Sequence, residues 1–221
     1  MQEAFKQWII TLDGGAASGK SSVSRALAQR LGIPYISTGL FYRALTVAAL
    51  LAQSDLANEM ALLALLEGNP FELRLEGERN QVFWSGVDIT EQLHTALVDA
   101  NVSQVSRHRG VREWVRLSLR QIPKPLLAEG RGMGTAVFPD ADIKFFLTAS
   151  PEVRALRRLS ERDGNMQSTL HALLERDQHD AQQSAPAIDA WMIDTSYLTL
   201  EQVVDTLFTQ MIEKTYTQVK L

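Results

Sequence analysis

Eight consecutive residues, Gly14-Gly15-Ala16-Ala17-Ser18-Gly19-Lys20-Ser21, fit the spacing G-x-x-x-x-G-K-[ST]. Each residue type has a chemical reason. Glycines let the backbone curl until successive N–H groups face phosphate oxygens, and a helix starting near Lys20 turns its positive end to the same point. Lys20 can reach the β- and γ-phosphates, and the Ser21 hydroxyl, followed by Ser22, can sit on Mg²⁺. Four constrained positions match by chance in about one chain per hundred of this length. The pattern therefore predicts binding of a nucleoside triphosphate with Mg²⁺. The chain lacks the N-K-x-D segment of a guanine-binding GTPase and is small for a motor, which favours a kinase acting on a small molecule.

Transfer to an acceptor that is itself a phosphate brings several negative charges together, and the site then needs cations. Arginine suits this because its fork grips phosphate oxygens in pairs. This acidic chain has 16 Arg against 6 Lys. Arg109, Arg112, Arg116 and Arg120 recur at spacings of three and four and share one helix face. Arg154, Arg158 and Arg162, beside Arg157, repeat the pattern later in the chain. Most of these read as a solvated face. Arg131 stands apart because it follows Glu129-Gly130 at a predicted strand end, where α/β proteins place ligands. Arg43 falls on a helix after the second strand, near the same edge. These two read as functional.

The elements that must hold these residues follow a rhythm. Residues 8–12 form a short apolar run bounded by Asp13 and Gly14, as in a buried parallel strand. A helix follows over residues 20–31, closed by Gly32. A strand over 34–37 and a helix over 40–53 continue the alternation that marks an α/β fold with a parallel sheet. Residues 71–75, 81–84 and 87–89 instead read as a small antiparallel meander, with helices over 96–107 and 111–121. Residues 55–125 thus read as an inserted subdomain. The α/β rhythm returns with strands at 126–128 and 143–147, a helix opened by Pro151, a helix over 167–180, a strand at 190–193 and a closing helix over 200–212. At 221 residues the chain suits one domain with an insert. Net charge is −4, which argues against broad nucleic-acid binding. The absence of cysteine excludes a disulfide framework, a thiolate zinc site and a cysteine nucleophile. No apolar stretch approaches the roughly 20 residues of a membrane span, and no signal-peptide core is visible, so the expected location is the cytoplasm.

Six ordered blocks together resemble the bacterial cytidylate kinases, within the nucleoside monophosphate kinase superfamily of P-loop proteins. They are Asp13-Gly14-Gly15-Ala16-Ala17-Ser18-Gly19-Lys20-Ser21-Ser22, Ser37-Thr38-Gly39-Leu40-Phe41-Tyr42-Arg43, Ser103-Gln104-Val105, Val111-Arg112, Glu129-Gly130-Arg131-Gly132-Met133-Gly134-Thr135-Ala136-Val137-Phe138-Pro139, and Arg176-Asp177 running to Ser184-Ala185-Pro186. The resemblance spans nearly the whole chain. It implies a three-layer P-loop fold with a central five-stranded parallel sheet, an antiparallel β insert and a helical lid. The corresponding division is a core of residues 1–38, 126–158 and 188–221, a monophosphate-binding insert over 39–125 and a lid over 159–187. The implied reaction is ATP plus CMP or dCMP giving ADP plus CDP or dCDP, with Mg²⁺, by a monomer. Carried over residue by residue, Arg43 and Arg131 would hold the acceptor phosphate, and Thr38, Ser103 and Arg112 would line the cytosine side. Glu129 would hold Mg²⁺-bound water beside Ser21. Arg176 and Asp180 would close from the lid, and Arg157 or Arg158 would contact ATP.

The chain departs from that family pattern where Gly132 replaces the usual Asp, and where His179, Ala181, Gln182 and Gln183 thin the lid's charge. Two alternatives remain open on these departures: a related kinase with a shifted acceptor such as UMP, or a nucleotide-binding homologue of low activity. Trp84, Trp114, Trp191 and Met133 read as packing residues. His94, His108 and His171 lack metal spacing, and Asp194 is left without an assignment.

Overall fold

The first apolar run becomes strand β1 (Ile9–Gly14), and the glycine loop leads into helix α1 (Lys20–Leu31). In the computed structural model the chain continues through β2 (Tyr35–Ser37), α2 (Gly39–Leu51), α3 (Glu59–Gly68), β3 (Phe71–Glu76), β4 (Arg79–Trp84), β5 (Val87–Asp88), α4 (Ala96–Val105) and α5 (Arg109–Arg120). It ends with β6 (Leu126–Gly130), β7 (Ile143–Thr148), α6 (Pro151–Glu161), α7 (Met166–Asp180), β8 (Trp191–Asp194) and α8 (Leu200–Gln218). The structure describes residues 4–68, 71–76, 79–161, 164–180 and 185–218. Arg162, Ala181, Gln182, Gln183 and Ser184 lie outside the described residues, as do the side chains of His179 and Asp180.

The elements form two compact units, residues 1–35 with 124–221, and residues 36–123. The first is built on a five-stranded parallel sheet of order β2-β6-β1-β7-β8. Strand β1 lies between β6 and β7, with Leu12 opposite Glu129, Asp13 opposite Gly130 and Gly14 opposite Leu147. That register sets the phosphate loop beside the end of β6. Helix α1 turns Val23, Leu27 and Leu31 inward at four-residue spacing, and they pack with Ile10, Leu12, Phe145, Leu207 and Met211. Burying side chains of this kind contributes about 1.5–3 kcal/mol each. Trp191 meets Phe145 edge-on at 6.1 Å. Among the described residues no helix is long and apolar enough to cross a membrane.

The second unit packs its helices with an antiparallel sheet of order β3-β4-β5. Seven of the thirteen residues of α2 are buried, as a helix covered on more than one side requires. Its core joins Ala44, Leu45 and Ala48 to Leu62, Val82, Trp84, Ile89, Leu93 and Val105. Helix α5 buries Val111, Val115 and Leu119 at four-residue spacing and leaves Arg109 and Arg120 exposed. Trp114 packs edge-on against Phe41 at 5.8 Å and Phe71 at 5.5 Å.

The predicted elements recur with ends shifted by a few residues, the largest change being α8, which extends to Gln218. Helix α3 is an addition. Its signal was present: the Asn58 side chain accepts a hydrogen bond from the Ala61 N–H at 3.2 Å, an N-cap preceding a run of good helix formers. A second addition is a π-turn over Met133–Val137.

Candidate active site

Each conformation in the phosphate loop has a steric cause. Gly14 has φ +151°, and a Cβ there would lie 2.3 Å from the Leu147 carbonyl oxygen, so the loop leaves β1 only through glycine. Ala17 occupies the left-handed region at φ +57°, a strained setting for a residue with a Cβ. The loop is braced from within. Ser18 Oγ donates to the Gly15 carbonyl at 3.0 Å, and Lys20 Nζ donates to the same oxygen at 2.7 Å.

Removal from water is the largest influence on Lys20 and pushes its pKa down from 10.5 to about 8. Glu129 opposes the shift, Arg131 adds to it, Asp13 opposes it and Arg176 adds to it. Four charged groups named in the sequence thus act on one ammonium. A triphosphate laid along the loop supplies negative charge, so binding raises this pKa and draws in a proton. Calorimetric titration with MgATP at pH 8, in two buffers of different ionisation heat, is expected to show uptake of about half a proton, absent in Lys20→Met. Equal uptake in that variant would remove Lys20 as the source.

Ser21 Oγ donates to Glu129 Oε1 at 2.9 Å. A hydroxyl and a nine-tenths-buried carboxylate therefore sit together at the loop, with Glu129 only 3% exposed. These hard oxygen donors fit Mg²⁺, which takes one or two protein oxygens and shares phosphates and water. Beyond Glu129 and Gly130 come Arg131, half-buried, and Gly132 at φ +71°, ψ +25°. Glycine adopts that left-handed conformation without strain. It opens the π-turn, whose first two N–H groups, on Met133 and Gly134, both donate to the Asp13 carboxylate at 2.8 Å. Burial raises the Asp13 pKa, against those two N–H groups and Lys20. Asp13 thus holds the Arg131 segment against the phosphate loop. In the sequence Asp13 has no assigned role beyond closing the strand and opening the first resemblance block. Its signal was an acid closing an apolar strand, since a buried carboxylate needs partners.

The arginines of α6 separate. Arg154 is not part of a solvated face: it is 6% exposed. It donates to the Ala16 carbonyl at 3.3 Å and the Ala149 carbonyl at 3.1 Å, and pairs with Asp177 of α7 at 2.7 Å. A cavity of about 270 Å³ next to the loop is lined by Gly15, Ser18, Leu147, Arg154 and Asp177, among others. Arg157 donates to Thr195 Oγ1 at 3.0 Å and to the Thr195 carbonyl at 2.6 Å. The Thr195 hydroxyl lies 3.2 Å from the Ser18 carbonyl and 3.0 Å from that of Thr148. Thr195 therefore ties Arg157 to the loop, a role with no local signal because Ser18 is 177 residues away. Arg158 is half-buried, and Arg176 is exposed on α7. Asp194 accepts from the Ser196 N–H and hydroxyl at 2.9 and 2.6 Å, which makes it a turn residue.

In the second unit, Thr38 is buried at the start of α2 and Ser103 is exposed on α4. Arg43 of α2 donates to the Leu93 carbonyl at 2.7 Å and pairs with Asp99 at 2.6 Å. Arg112 of α5 hydrogen-bonds the Tyr42 phenol, whose pKa is raised by burial and lowered in turn by Arg112. Arg116 pairs with Glu113 of its own helix.

A glycine loop between the central strand of a parallel sheet and the helix after it, closed by a lysine and a hydroxyl–carboxylate pair, defines a P-loop nucleotide-binding α/β protein. Solved structures agree on the fold: shikimate kinase from Bacteroides thetaiotaomicron is 12% identical with TM-score 0.51, covering 93% of this chain and 98% of its own. Shikimate kinase from Acinetobacter baumannii, in complex with shikimate, is 16% identical with TM-score 0.50, covering 96% and 98%. Sequence comparison is more specific. The cytidylate kinase family profile matches residues 10–213. The chain is 54% identical over 196 residues to the cytidylate kinase of Thermus thermophilus, covering 89% of this chain and 94% of that protein. It is 54% identical over 197 residues to that of Deinococcus radiodurans, covering 89% and 95%. It is 35% identical over 220 residues to that of Bacillus subtilis, covering 95% and 98%. The chain belongs to the cytidylate kinase family.

Proposed function

We propose that this protein transfers the γ-phosphoryl group of ATP to CMP or dCMP, giving ADP and CDP or dCDP. The observation that carries the reading is the match to the cytidylate kinase family over residues 10–213, in a chain whose phosphate loop brings Lys20 to the Gly15 carbonyl and Ser21 to the Glu129 carboxylate. The bond from the γ-phosphorus to the β,γ-bridging oxygen breaks, and an oxygen of the acceptor phosphate forms the new bond. That oxygen is anionic at neutral pH, so no general base is required. Positioning and charge neutralisation supply the catalysis.

Loop N–H groups over residues 14–22 hold the triphosphate, and Lys20 turns from the Gly15 carbonyl to the β- and γ-phosphates. Arg157 contacts ATP. Arg131, Arg158 and Arg176 neutralise charge on the transferring group. Thr38, Arg43, Ser103, Arg112, Arg131, Arg176 and Asp180 contact the acceptor. Ser21 and Glu129 would hold Mg²⁺, directly or through water. Bound Mg²⁺ supplies neutralisation of developing charge on the phosphate oxygens. Residues 159–187 act as the lid, residues 39–125 as the monophosphate-binding insert, and the enzyme works as a cytoplasmic monomer with no nucleic-acid or membrane partner.

Gly132 carries no side chain to read a base edge, so cytosine selection falls to Thr38, Ser103 and Arg112. ADP release with equal concentrations of CMP, dCMP, UMP and AMP tests this. CMP and dCMP are expected to lead UMP and AMP by at least about tenfold, the scale at which a few contacts discriminate. Turnover led by UMP would transfer the assignment to a shifted-acceptor kinase. ATP binding without transfer to any acceptor would make the protein a nucleotide-binding homologue.

A further inference from the structure

Arg43 is held in place before any acceptor arrives. One Nη donates to the Leu93 carbonyl at 2.7 Å and the other meets Asp99 Oδ1 at 2.6 Å. Leu93 is 1% exposed, so its carbonyl is a fixed anchor in the turn Thr90–His94. Asp99 stands in the first turn of α4, whose Thr95 cap accepts from the Val98 N–H at 3.4 Å, so the backbone that carries the carboxylate is held in place. The Arg43 and Asp99 side chains are 22% and 25% exposed, so the pair is partly open to solvent. A guanidinium has five N–H donors, and these two bonds use two of them. The rest remain available to an incoming phosphate.

We propose that Asp99 is the positioning residue for acceptor binding: it clamps the Arg43 guanidinium against the Leu93 carbonyl so that its remaining donors present a fixed fork to the acceptor's phosphate. The proposal rests on the reading of Arg43 as an acceptor contact. Freezing a long side chain in advance removes its ordering cost from the binding event. The anchor comes from a different helix than the arginine, so it fixes direction as well as distance. Asp99 also stands in the first turn of α4, where negative charge is favourable.

Three variants separate the possibilities. Asp99→Ala keeps α4, alanine being the better helix former, but removes the clamp. Its KM for CMP is expected to rise about three- to tenfold, with kcat within about twofold and KM for ATP unchanged. Asp99→Asn loses the charge, and with it the helix-end attraction, yet its amide oxygen can accept the same Nη bond. It is expected to restore most of the CMP affinity. Arg43→Ala should raise KM for CMP more than either. If Arg43→Ala leaves that KM unchanged, the reading of Arg43 fails and this proposal with it. If Arg43→Ala raises it while Asp99→Ala leaves it unchanged or lowers it, Asp99 is a bystander or a competitor for Arg43. Equal losses in Asp99→Ala and Asp99→Asn would assign its effect to charge and overturn the clamp.

Discussion

Replacing Lys20 by methionine is expected to lower kcat about 10³-fold, the scale on which a buried donor to developing charge acts, or about 4 kcal/mol of barrier. The fold should survive. Burial depresses the Lys20 pKa to about 8, so below that pH the folded protein holds an ammonium in a setting that disfavours it. Methionine keeps the apolar stem without the charge, and its thermal midpoint should match or exceed that of the parent. Because the folded pKa lies below the ordinary 10.5, the unfolded chain binds more protons between about pH 8 and 10.5. This group's contribution to stability therefore rises with pH across that window. Denaturant unfolding from pH 7.5 to 10 should show that rise in the parent and a flatter profile in the variant. A kcat within tenfold of the parent would sink the role assigned to Lys20, whatever the stability result.

Arg131→Ala is expected to lower turnover by 10³-fold or more, as loss of a transition-state arginine does in phosphoryl transfer. Arg131 directly follows the strand that supplies Glu129, and its charge is among those pressing on Lys20. Because Arg131 helps depress the Lys20 pKa, its removal should also move the proton uptake on MgATP binding to higher pH. That readout depends on charge near Lys20, and a general loss of packing would not produce it. Arg131→Lys keeps one charge without the paired fork and should recover only part of the activity. Near-normal turnover in Arg131→Ala, by coupled assay at saturating ATP and CMP, would overturn the assignment.

Much of the fold is visible in the residues taken in order. The run ending at Asp13, the helix from Lys20 and the meander over 71–89 each carry a local period, and local periods survive into structure because burial acts on neighbouring side chains together. Helix α3 had its signal at Asn58. The phosphate loop was legible for a stronger reason, since its first glycine, Gly14, answers a steric demand from Leu147 that no other residue type meets.

Partnership was not legible in the same way. Arg154 and Arg158 look alike on a helical wheel, yet Arg154 is buried against the Ala16 carbonyl and Asp177. Arg43 could be nominated from its place on α2, but the Asp99 that aims it lies 56 residues further on. Asp13 meets Met133 and Gly134 across 120 and 121 residues, and Thr195 meets Ser18 across 177. Residue types and short spacings state what chemistry is available, because they follow from the geometry of one strand, one turn or one helix. Which charges share a low-dielectric space, and so what pKa Lys20 has and which arginine is held still, follows from strand order and register, which bring distant segments together.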